Sequence, residues 1–109
     1  MTPDRRHWEE LGQRSQPSWY LDPLVARQKR DVHLDLIQRW WPASAPAAIL
    51  KTDLFEEAFG DDRILPDLAA RAPFACGIDE AFSTVRSASL RYPGSPALVS
   101  DVRCLPFAP

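Results

Sequence analysis

Three short apolar runs, "AAIL", "FACGID" and "PALVSDV", are each closed by an aspartate: Asp53, Asp79 and Asp101. Each run is too short for a buried helix and has the length of a strand. The stretches between them, with Leu54, Phe55, Ala58 and Phe59 in one and Phe82, Val85 and Leu90 in the other, have helical spacing. The order strand, helix, strand, helix, strand implies an α/β fold with a three-stranded parallel sheet and right-handed crossovers. Parallel strands deliver their carboxyl ends to one edge, where open α/β sheets bind ligands. Taken singly, each aspartate reads as a cap for the helix that follows. Three in the same position also read as carboxylates lining one rim.

The first 47 residues have a different texture. Residues 1–22 carry Trp8, Trp19 and Tyr20 without a sustained period and read as an irregular arm. Asp22-Pro23 has the form of a helix start, with Asp22 as cap and Pro23 at the first helical position. The predicted helix runs over 23–41, with Val25, Val32, Leu36, Ile37 and Trp40 on one stripe, and Pro42 ends it. "PASAPA" (42–47) is a linker, so the chain divides into an arm and helix (1–47) and a sheet-bearing domain (48–109). "RILPDLAARAP" reads as a further short helical piece broken at Pro66.

Bulk properties narrow the function classes. A net charge of −2 gives no basic face for nucleic acid. No apolar run approaches the ~20 residues of a membrane span, and the charged N-terminus "MTPDRRHWEELG" is unlike a signal peptide. Cys76 and Cys104 stand alone, without the short-spaced ligand sets of a zinc site, and read as buried free thiols suited to a reducing, cytoplasmic compartment. Lys29 and His33, four apart, read as a snorkelling lysine and a hydrogen-bonded core histidine rather than site groups. Trp19, Tyr20, Trp40 and Trp41 read as packing residues rather than a stacking platform.

"ILKTDLFEEAFG", "GIDEAFSTVRSA" and "LVSDVRCLPF" resemble, in order and spacing, the opening half of the class I S-adenosylmethionine-dependent methyltransferases. An aspartate after the third strand followed by Leu-Pro-Phe is the most specific part. The resemblance covers roughly residues 18 to 107 and implies a partial Rossmann-like fold with sheet order 3-2-1. It implies S-adenosylmethionine as cofactor. Asp79 matches the acid that accepts from the ribose hydroxyls, Glu80 flanks the adenine, Asp101 lies near the adenine amino group, and Val102 lies beside the ring. Asp53, in the first turn, lies near the cationic amino-acid part. Catalytic residues are not assigned and no metal is implied.

The first turn departs from the family's glycine-rich pattern and is similar to a divergent branch in which that loop is replaced. A turn carrying Asp53, Glu56 and Glu57 repels a pyrophosphate and suits a positively charged ligand. The absence of GxGxxG counts against a nicotinamide-dinucleotide domain. Family members have about seven strands, so the resemblance implies a truncated chain, catalytically silent alone, with the strand at 48–52 as a bare apolar edge open to a partner chain. The competing expectations are a non-enzymatic interaction module and a small nucleotide-binding domain of another kind.

Overall fold

The computed structural model describes residues 2–14 and 22–108. In chain order the elements are α1 (Pro3–Gln13), α2 (Pro23–Arg39), β1 (Ala48–Lys51), α3 (Phe55–Phe59), α4 (Leu65–Ala69), β2 (Phe74–Asp79), α5 (Phe82–Arg91) and β3 (Ala97–Val99). The sheet is three-stranded and parallel, ordered β1-β2-β3, with Ile49 opposite Ala75 and Gly77 opposite both Lys51 and Ala97. The α/β class, the parallel strands and their order agree with the sequence.

Strand alternation puts Ile49, Ala75 and Ala97 on one face. These pack with Leu54, Ala58, Leu65, Val85 and Ala88 into the apolar core. Leu54, fully buried, lies directly on Gly77: a Cβ at Gly77 would stand 2.3 Å from Leu54 Cδ2. A glycine in mid-strand is costly unless something needs the space, and here the leucine does. Burying such a side chain contributes about 1.5–3 kcal/mol.

Several expectations are corrected. Residues 3–13, read as part of an irregular arm, are helix α1: Thr2 Oγ1 accepts from the Arg5 amide (3.2 Å), and Pro3 begins the helix. Trp19 and Tyr20 lie outside the described residues. Helix α2 ends at Arg39, and its stripe of Val25, Val32 and Leu36 faces outward, with Trp40 83% exposed. Only Ala26 of α2 is fully buried. The helix is held largely by polar groups: Lys29 Nζ lies 3.0 Å from the buried Asp62 and 3.7 Å from Glu56. Arg30 donates to both Asp67 oxygens (2.8 and 2.9 Å) and to the Arg63 carbonyl (3.2 Å), while Arg71 donates to Gln38 (2.7 Å).

His33 is exposed, not a core histidine, and Lys29 pairs with acids rather than snorkelling. Trp41 is half-buried with the Arg71 guanidinium 5.6 Å from its ring centre. Cys76 is buried and Cys104 is exposed. Pro66 does not break a helix; it sits in the first turn of α4, where its missing N–H costs nothing. No described helix is long and apolar enough to cross a membrane.

Candidate functional site

Asp53, Asp79 and Asp101 do reach one place. They line a cleft of about 390 Å³ at the carboxyl edge of the sheet, together with Glu80 and Val102. Asp53 and Asp79 follow β1 and end β2, whereas β3 stops at Val99, so Asp101 stands in the loop beyond it. Thr52, Phe55, Thr84, Ser100 and Arg103 complete the lining from these elements. Asp4 and Trp8 complete it from α1, a contribution absent from the sequence-based site.

The rim reading of the aspartates holds, but the capping reading is corrected: Leu54 and Ala81 occupy the cap positions of α3 and α5, and no helix follows Asp101 among the described residues. Asp53 Oδ1 accepts from the Phe55 amide (2.8 Å), Asp79 Oδ1 from the Ala81 amide (2.9 Å), and Asp101 Oδ1 from the Arg103 amide (2.9 Å). Each folds its own loop by bonding the backbone two residues on, the Asx-turn habit of aspartate. Each also lines the cleft.

Their electrostatics differ. Asp79 is partly buried, and its Oδ2 accepts a second amide, that of Leu54 (3.1 Å). Desolvation pushes its carboxyl above the ordinary value, against the pull of the Ala81 and Leu54 amides, and nearby Asp53 adds to the rise. Two oxygens offer about four acceptor positions, so two remain for a ligand after the two amides. Asp101 is the opposite case. The Arg103 side chain grips both its oxygens (2.6–3.1 Å), and this pairing, with the Arg103 amide, holds the carboxyl at about 2. Asp101 therefore stays ionised but is already partnered.

The acidic first turn divides its labour. Asp53 alone of its three carboxylates lines the cleft. Glu57 is buried and points inward, where Oε1 accepts from the Ile64 and Leu65 amides (3.0 and 3.3 Å) and so caps α4. Glu56 reaches Lys29. Lys51 donates to the Asp53 carbonyl and stands 3.6 Å from Glu57, partly compensating the turn's negative charge. Among the described residues no group of three His, Cys, Asp or Glu side chains is arranged to hold a metal ion.

Chemically, the cleft is a small anionic bay with aromatic walls, Trp8 and Phe55. It is suited to a ligand that brings hydrogen-bond donors, a positive charge and a flat apolar face. The chain matches no protein-family model, no curated protein and no solved structure.

Proposed function

We propose that this cleft binds S-adenosylmethionine and that the chain is the cofactor-binding portion of a methyltransferase. The observation that carries this proposal is Asp79: a partly desolvated carboxylate at the end of the central strand, its two amide bonds leaving one acceptor position on each oxygen. A ribose diol supplies two donors to such a group. Asp53 offers negative charge for the ammonium or sulfonium, and Glu80, Val102 and Asp101 line the space left for the base. The adenine amino group would compete with Arg103 for Asp101.

Calorimetric titration with S-adenosylhomocysteine tests this. Saturable binding by the wild-type chain, lost in Asp79→Ala and weakened in Glu80→Gln, is the expected result. No binding by a folded wild-type chain rejects it. Binding should also weaken as pH falls through the raised pKa of Asp79, because the protonated group is a poorer acceptor. A non-enzymatic interaction module is the alternative reading, favoured by the outward-facing apolar stripe of α2 and the open edge of β1. Concentration-dependent association without ligand binding would support it.

A further inference from the structure

Trp8 belongs to no part of the ligand site expected from the sequence, yet it lines the cleft beside Phe55, Asp79 and Glu80. Its ring is fixed edge-on against Phe55, with centroids 6.4 Å apart at 65°, and edge-on against His7 at 5.3 Å. Despite these contacts it remains 44% exposed. A large aromatic surface that is oriented by neighbours and left open on a concave site is the form taken by ligand-stacking residues.

The helix carrying Trp8 is docked with specific contacts. Glu9, on the next position, accepts the Ser83 amide through both oxygens (3.0 and 3.3 Å), and Ser83 Oγ donates to the Glu9 carbonyl (3.1 Å). These bonds tie α1 to the first turn of α5, where the free amides of a helix favour an acid. Gly12 makes the approach close: a Cβ there would stand 2.4 Å from Ser83 Oγ and 2.8 Å from Thr84 Oγ1. Thr84 itself is buried and lines the cleft. The seating of α1 is thus set one residue away from the cleft wall.

We infer that α1 is a wall of the ligand site and that Trp8 is its specificity residue, stacking on the planar heterocycle of a nucleoside that carries an ammonium group. This rests on the cofactor reading above and adds a recognition element from the N-terminal segment. The carboxylates select donors and positive charge, and Trp8 selects a flat ring. Ligands sharing the charge but lacking the heterocycle, such as methionine or its sulfonium analogues, should bind far more weakly than the nucleoside.

The test is titration of the full chain with S-adenosylhomocysteine, read by calorimetry and by tryptophan emission. Trp8→Ala is expected to weaken binding at least about fivefold, whereas Trp8→Phe keeps it within about twofold, as rescue by an aromatic ring requires. Gly12→Val, which touches no ligand, should also weaken binding by displacing α1. Ligand should quench wild-type emission, and the quench should vanish in Trp8→Phe. Wild-type binding that is lost in Asp79→Ala but unchanged in a folded Trp8→Ala overturns the role of Trp8 and leaves the cofactor reading standing. A wild-type chain that binds nothing overturns both. Should Trp8→Ala fail to fold, the quench decides, and one that persists undiminished in Trp8→Phe overturns the inference.

Discussion

Helices α2 and α5 are both amphipathic, and they are mounted in opposite senses. Helix α5 buries Thr84, Val85 and Ala88 against α3 and the sheet. Helix α2 turns Val25, Val32 and Leu36 to the outside and docks through Lys29, Arg30 and Gln38. The contrast teaches that periodicity defines a face but not what the face meets. For α5 the spacing of Phe82, Val85 and Leu90 is corrected in part: Val85 is buried, but Phe82 and Leu90 are 59% and 73% exposed, and the small residues Thr84 and Ala88 complete the inward face. For α2 the direction is decided by partners far along the chain, Asp62, Asp67 and Arg71.

The contrast can be broken or sharpened by substitution. The largest effect is expected in the apolar core: Leu54→Ala should cost about 2–5 kcal/mol, since the void lies over Gly77 where no side chain can move in. Chemical denaturation measures it, and a loss under 1 kcal/mol would mean that the core is not where stability resides. Next comes the polar mount of α2. Arg30→Met should cost about 1.5–3 kcal/mol by leaving Asp67 and the Arg63 carbonyl without their shared donor. Its effect should shrink in high salt, while that of Leu54→Ala should not.

A smaller effect is expected at Glu9. Burial draws its carboxyl up, but the Gln13 and Ser83 hydrogen bonds outweigh it and leave the group below its usual value. A lowered folded-state pKa stabilises above the unfolded value and is lost as pH falls through the folded one. Glu9→Gln should therefore cost less than about 1 kcal/mol near neutrality, with the difference from wild type fading in acid below the ordinary carboxylate range. Thermal unfolding from pH 7 down to pH 3 measures it, and a constant difference would contradict it. Smallest of all, Val32→Ser with Leu36→Ser should change stability by no more than about 0.5 kcal/mol per site. A larger loss would mean that the stripe is covered in solution.

What could be read in advance follows the same division. The sheet was legible because its three runs are apolar, short and bounded. The common rim of Asp53, Asp79 and Asp101 followed from that parallel order. Helix α1 was not legible: Trp8 and Leu11 are its only large apolar residues, and its anchor, Ser83, is 74 positions from Glu9. Its start signal was nevertheless written in Thr2-Pro3-Asp4, the same cap-then-proline form that marked α2. The Asp101–Arg103 grip was missed, although the two opposite charges stand only two residues apart. Glu57 was misjudged because whether an acid on a short helix faces the cleft or the next helix depends on where the chain goes afterwards.

The paired employment of the three aspartates bears on how variants of them behave. Asparagine makes the same turn bond to the residue two ahead, so at Asp53 it removes the charge while sparing the loop, whereas at Asp101 its NH2 would face the Arg103 guanidinium that grips the second oxygen. At Asp79 it cannot spare the loop, because both oxygens are engaged by amides and an asparagine would set an NH2 against one of these donors. The central carboxylate is therefore the one whose neutral stand-in would disturb two backbone amides at once.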